Sequence, residues 1–171
     1  MNKMREGLYP KRDLNREKRI IELIEKIEGQ LDLIDDEKIV EVFKSEFKEI
    51  NSLITTEGRI VDLETIRYYY QWTSLEDLAG ELTLNVKRVE DINREELKDI
   101  IDYYRKVVIT EEIVPDNYNF SYFEGFYHIF FEINFPSFQD LENMIYGDIG
   151  SSELADLVFN SGGNNVNVIC L

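Results

Sequence analysis

Apolar residues at helical spacing dominate the first third of the chain and constrain its fold more than any other feature. In residues 14–34 and again in residues 35–54, Ile, Leu and Phe recur every three or four positions, which places them on one face of a helix. Asp13 or Asn15 can cap the first helix. Because the joint between the two segments is short, the pattern predicts an antiparallel helical hairpin that ends at Gly58.

An aromatic run, YYYQWTSLEDLAGEL at residues 68–82, follows the hairpin. Thr73 and Glu76 match a capping box, in which the Thr73 hydroxyl accepts from the Glu76 amide and the Glu76 side chain returns to the Thr73 amide. The pattern predicts a helix, a break and a second helix. We interpret Trp72 as a wedge buried at this corner, because aromatic residues in such places are more often core than an exposed binding platform.

The last third of the chain changes its period after one further predicted helix. Asn93 and Glu96 form a second capping-box pattern and predict a helix from about Arg94 to Val107. In FYHIFFEINF, residues 126–135, a fully apolar set of side chains alternates with a half-polar set, which is the pattern of a partly covered strand.

Two further elements complete the predicted fold. GSSELADLVFNSGG indicates a short helix that begins at Ser151 or Ser152, and NVNVICL at residues 165–171 indicates a final strand. We therefore predict an α+β fold, with the N-terminal helical hairpin and further helices packed on a small, mainly antiparallel C-terminal sheet. A length of 171 residues suits a single domain, divided into a hairpin subregion at 1–57 and an α+β body at 58–171.

The distribution of charge is the clearest functional signal. The formal net charge is −16, and residues 107–171 contain ten Asp and Glu but no Lys or Arg. Such a segment repels nucleic acid and anionic membranes and attracts basic proteins. We expect a basic protein partner, bound through the carboxylates of this segment and through aromatic anchors: Glu111, Glu112, Asp116, Glu124, Asp140, Glu142, Asp148, Glu153, Asp156, Tyr118, Tyr122 and Tyr146.

Residues that usually carry chemistry are scarce. His128 is the only histidine and Cys170 the only cysteine, and no phosphate-binding glycine motif is present. We interpret His128 as a packed or edge residue of the predicted strand, and we expect no catalytic site, metal or cofactor. The absence of a long apolar run or signal-like N-terminus predicts a cytoplasmic protein.

Several segments resemble bacterial immunity-type proteins, which are encoded beside polymorphic or contact-dependent toxins. The resemblance covers about residues 60–171 and lies in YYYQWTSLEDLAGEL, EDINREELKDIIDYY, FEINFPSFQDLENMIY and SSELADLVFNSGGNNVNVICL. It implies a small cytoplasmic protein that neutralises a toxin domain, for example a nuclease. Two alternatives stay open: a nucleic-acid mimic that inhibits a restriction or CRISPR effector, and an enzyme with an acidic cleft.

Overall fold

The computed structural model describes residues 5–138 and 141–160. Within these ranges the regular structure is entirely helical and contains no strand, so the predicted α+β fold is wrong. The helices are α1 Leu14–Glu28, α2 Asp36–Val42, α3 Lys44–Leu53, α4 Leu63–Tyr68, α5 Leu75–Leu82, α6 Arg94–Tyr104, α7 Phe120–Asn134, α8 Leu141–Ile145 and α9 Ser151–Asn160, with a 3₁₀ turn at Tyr69–Gln71 and a π-helical turn at Arg105–Ile109.

The chain divides into two compact units. Lys11–Asn85 forms what we call the central unit, and Met1–Pro10 together with Val86–Leu171 forms the terminal unit. The predicted strand at residues 165–171 lies outside the described residues. The boundary between the units lies between Asn85 and Val86, whereas the sequence patterns place the boundary between hairpin and body at residues 57 and 58.

The central unit is built on α1, which packs against α3, α4 and α5. Asp13 caps α1 by accepting from the Arg16 amide at 3.1 Å. The ion pairs Arg19–Glu49 and Lys26–Glu46, at 2.7 and 2.6 Å, match increasing positions in α1 with decreasing positions in α3, so the two helices run antiparallel as the hairpin prediction required. The second helix is interrupted at Phe43, whose φ of −100° and ψ of 20° leave the helical region.

The corner near Trp72 differs from its sequence interpretation. Ser74 caps α5 by accepting from the Asp77 amide at 3.1 Å, so the cap lies one residue later than the predicted Thr73–Glu76 box. Trp72 is 60% exposed, whereas Tyr69 is buried in the core with Ile66 and Leu78. Tyr69, and not Trp72, is therefore the aromatic residue that packs at this corner.

These positions predict a small effect on stability for Trp72→Ala. Truncation of an exposed side chain should lower the free energy of unfolding by less than about 1 kcal/mol, whereas Tyr69→Ala should cost about 3 kcal/mol because it leaves a cavity in the core. Chemical denaturation of both variants makes the comparison. Since Trp72 is the only tryptophan, a blue-shifted native emission that resists acrylamide would contradict the exposed position.

In the terminal unit, α7 contacts both α6 and α8. The Tyr104 ring of α6 lies 5.5 Å from that of Tyr127 in α7 and 5.8 Å from that of Phe123. α6 packs along α9, and α7 along α8. The N-terminal segment joins the same unit, because the Tyr127 hydroxyl donates to the Leu8 carbonyl at 3.1 Å. The Asn93–Glu96 capping box of α6 is formed as predicted.

The predicted strand at 126–135 is instead part of α7. The residues that α7 buries are spaced by one, three and four positions, which is a helical stripe and not an alternation: Tyr122, Phe123, Phe126, Tyr127, Phe130, Phe131 and Asn134. Residues 118–138 contain ten aromatics, so that apolar residues occupy both predicted strand faces and the period is obscured. Asn119 begins the helix by accepting from the Tyr122 amide at 2.6 Å.

Candidate functional site

Four of the residues predicted to bind a partner lie close together in the terminal unit. The Tyr146 hydroxyl can donate to Glu124 Oε1 at 3.3 Å. The Tyr118 ring lies 5.9 Å from that of Phe123, which directly precedes Glu124 in α7, and the charge of Glu111 helps to raise the Tyr118 pKa. We call these four residues, Glu111, Tyr118, Glu124 and Tyr146, the tyrosine–carboxylate patch.

The loop between the π-helical turn and α7 positions Tyr118 and Glu111. The Tyr118 amide donates to the Pro115 carbonyl at 3.1 Å, and the Tyr118 ring meets the Phe123 ring edge-on at 5.9 Å. Glu111 and Asn117 have φ values of 52° and 56°, in the left-handed region that non-glycine residues adopt infrequently. The loop is therefore shaped by specific turns at both ends and not merely extended between helices.

The Tyr146 side chain is about half exposed, and contacts with Tyr104 hold it in place. Its ring meets that of buried Tyr104 at 5.9 Å, and the two hydroxyl oxygens are 2.8 Å apart. Arg105 holds the turn around it by donating to the Ile145 and Ile149 carbonyls at 2.9 and 2.7 Å. A side chain that is 48% exposed but held in this way loses little further freedom when it binds.

The carboxylates of the patch are not neutralised by ion pairs with Lys or Arg among the described residues. Burial raises the pKa of Tyr118, and the charges of Glu111 and Glu124 raise it further. Six carboxylates of residues 107–171 form no ion pair with a Lys or Arg among the described residues: Glu111, Glu112, Asp116, Glu124, Asp148 and Glu153. The two glutamates of α3, in contrast, are paired with cations of α1: Glu49 with Arg19 and Glu46 with Lys26. The local field is therefore negative at and around the patch.

The other predicted contact residues have different environments. Asp148 and Glu153 are exposed, as are Glu112 and Asp116 in the loop. Asp156 is engaged within the unit, because Arg94 donates to its two oxygens at 2.5 and 2.8 Å and lowers its pKa.

The last three members of the predicted set are Tyr122, Asp140 and Glu142. Tyr122 is only 2% exposed, so its selection as a surface anchor is corrected: it belongs to the core. Asp140 and the side chain of Glu142 lie outside the described part of the chain.

Sequence reasoning missed the apolar residues beside the patch. Val114 is 72% exposed, and Phe120 and Ile109 are also exposed. All three lie in or next to the loop that carries Glu111 and Tyr118. The available signal was the sequence EEIVPD, in which a β-branched pair stands inside a charged, proline-containing turn. Exposed apolar side chains within a charged rim are typical of protein-binding surfaces.

His128 lies on the exposed face of α7 and not in a strand. Its Nε2 is 3.7 Å from Glu132 Oε1, one helical turn later. The two residues border a groove of about 410 Å³ lined by Phe131, Phe135 and other apolar side chains. The described residues contain no group of three or more His, Cys, Asp or Glu arranged to hold a metal ion.

Comparisons of the chain with protein-family models, curated proteins and solved structures gave no match. No helix in the described ranges has the length and apolar character needed to cross a membrane.

Proposed function

We propose that this protein is an acidic binding protein that neutralises a basic protein partner, in the manner of an immunity protein that inhibits a bacterial toxin domain. The tyrosine–carboxylate patch is the proposed contact surface. The activity is binding, and the proposal assigns no catalytic residue. The sequence resemblance to immunity-type proteins supports the toxin-inhibitor role.

The proposal rests mainly on one observation. The patch combines carboxylates that form no ion pair with Lys or Arg among the described residues and tyrosines whose rings are positioned by contacts with neighbouring aromatic residues. Tyrosines are enriched at the energetic centres of protein interfaces, because they bury a large area at low cost in conformational entropy. Tyr146 meets this description, since Tyr104 and the Arg105-bound turn fix it while part of its ring stays exposed. Neighbouring Val114 adds apolar surface to the same region.

The carboxylates provide the long-range part of the proposed mechanism. Glu111 and Glu124 lie in the patch, and exposed Glu112, Asp116 and Asp148 belong to the same segment without basic residues. Such a field raises the rate at which a cationic protein meets the surface, and the effect falls steeply with ionic strength. A basic partner would therefore associate by electrostatic steering and then be retained by contacts with the aromatic residues.

The proposal predicts separate kinetic effects for the carboxylates and for Tyr146. The tagged protein would first be used to isolate its partner from the native host, and the purified partner would then be measured by surface plasmon resonance. We expect Glu111→Gln with Glu124→Gln to lower the association rate about tenfold at low salt. Tyr146→Ala should mainly raise the dissociation rate.

A matched control separates the local field from the overall charge. Asp32→Asn with Glu57→Gln removes the same two charges from exposed positions in the central unit and should leave both rates nearly unchanged. Equal losses in the two double variants would contradict the assigned surface. An association rate that is flat from low to high salt, or a partner without a basic surface, would contradict the proposed mechanism.

A further inference from the structure

The central unit carries an exposed aromatic groove that is independent of the tyrosine–carboxylate patch. Trp72 and Tyr70 are 60% and 66% exposed, and Tyr68 is 42% exposed. Of the four aromatic residues at 68–70 and 72, only Tyr69 is buried. The groove measures about 520 Å³ and is lined by Asp62, Glu64, Thr65, Tyr68, Gln71 and Trp72. We call it the Trp72 groove.

Local structure explains why these side chains share one surface. Glu64 and Tyr68 are four residues apart in α4 and therefore share one face of the helix, and Trp72, which follows the 3₁₀ turn, lines the same groove. Asp62 caps α4 by accepting from both the amide and the hydroxyl of Thr65, each at 2.8 Å. The groove therefore combines two aromatic rings with two carboxylates at the start of a helix.

The charge of the groove is negative and uncompensated. The hydrogen bonds from Thr65 lower the pKa of Asp62, so its carboxylate is ionised at neutral pH. Within the described ranges neither Asp62 nor Glu64 forms an ion pair with Lys or Arg. Arg67 is the only basic residue of α4, and its guanidinium instead pairs with Asp36.

We propose that the Trp72 groove binds the guanidinium group of an arginine side chain presented by a basic polypeptide. A guanidinium is planar and weakly hydrated, so it stacks on Trp and Tyr faces and at the same time donates to carboxylates. A lysine ammonium is more strongly hydrated and does not stack in this way. The inference rests on the proposed function only in taking the partner to be basic, and it assigns a second contact site in the other unit.

Trp72 gives this site its own spectroscopic signal, because the chain has no other tryptophan. The full chain would be titrated at low ionic strength with a capped hexa-arginine peptide while Trp72 emission is recorded. We expect a saturable change in emission. Asp62→Asn with Glu64→Gln should weaken the affinity about tenfold, and Asn retains the helix cap that Asp62 provides.

The controls distinguish this site from general attraction to an acidic protein. Asp32→Asn with Glu57→Gln removes two charges elsewhere in the same unit, and Glu111→Gln with Glu124→Gln removes two from the patch. Both double variants should bind within about twofold of the original chain. A capped hexa-lysine peptide should bind several-fold more weakly than hexa-arginine, and Trp72→Ala should weaken the binding of a labelled hexa-arginine peptide about tenfold.

Each contrary result overturns the proposal. These results are an absence of saturable change, equal weakening by the groove variant and the Asp32–Glu57 control, equal affinity for the two peptides, or unchanged binding to Trp72→Ala. None of them depends on isolating the natural partner, so a failure of the arginine site is distinguishable from a failure of the proposed function.

Discussion

Tyr127→Ala is expected to lower the free energy of unfolding of the terminal unit by about 3–5 kcal/mol. Tyr127 is completely buried, and its ring lies 5.0 Å from that of Phe123, 5.5 Å from that of Tyr104 and 5.7 Å from that of Phe131. Truncation would remove the centre of this aromatic cluster. Since the surrounding rings are themselves large and rigid, they can fill the resulting cavity only in part.

Two control variants identify the cause of the loss. Tyr127→Phe keeps the ring and removes only the hydroxyl that donates to the Leu8 carbonyl, which should cost about 1 kcal/mol. His128→Ala changes the next residue, which is exposed on α7, and should cost less than about 0.5 kcal/mol. Hydrogen exchange of α6 and α7 amides reports on this unit separately. A similar small loss for Tyr127→Ala and His128→Ala would show that Tyr127 is not the centre of the core.

Arg105→Met is expected to lower the free energy of unfolding of the same unit by about 2–4 kcal/mol. The guanidinium donates to the carbonyls of Ile145 and Ile149 at 2.9 and 2.7 Å, to that of Gly147 at 3.3 Å, and to the Ser151 hydroxyl at 3.1 Å. These carbonyls lie at or after the end of α8 at Ile145, so no amide of a following helical turn donates a hydrogen bond to them. Methionine fills similar space but donates no hydrogen bond, and half-buried acceptors would be left without partners.

The neighbouring residue again supplies the control. Lys106 is exposed in the same π-helical turn, so Lys106→Met removes an equal charge and should cost less than about 0.5 kcal/mol. Arg105→Met should also weaken partner binding through Tyr146, because the turn that carries Tyr146 depends on Arg105. Stability of Arg105→Met equal to that of Lys106→Met in chemical denaturation would contradict the structural role of the guanidinium.

The sequence specified the helices whose signals are local. The capping box of Asn93 and Glu96 was predicted and is present. For α1 the structure selects Asp13 from the two predicted caps, and α9 begins at Ser151, one of its two predicted starts. A cap requires only a side-chain oxygen and an amide three residues away, so its geometry is encoded within one turn. The charge asymmetry was likewise a direct property of the chain.

Tertiary structure decided the features that depend on what a residue packs against. The aromatic segment from Phe120 to Asn134 has apolar residues in both strand-like and helical registers, and only tertiary packing, against Tyr104 of α6 and against α8, selects the helix. The exposure of Trp72 depends on Tyr69 filling the core at that corner. Tyr118 and Tyr146 are distant in sequence and share one patch because the packed rings of Phe123 and Tyr104 connect them. Burial and proximity of this kind are relations between segments, and no single stretch of sequence contains them.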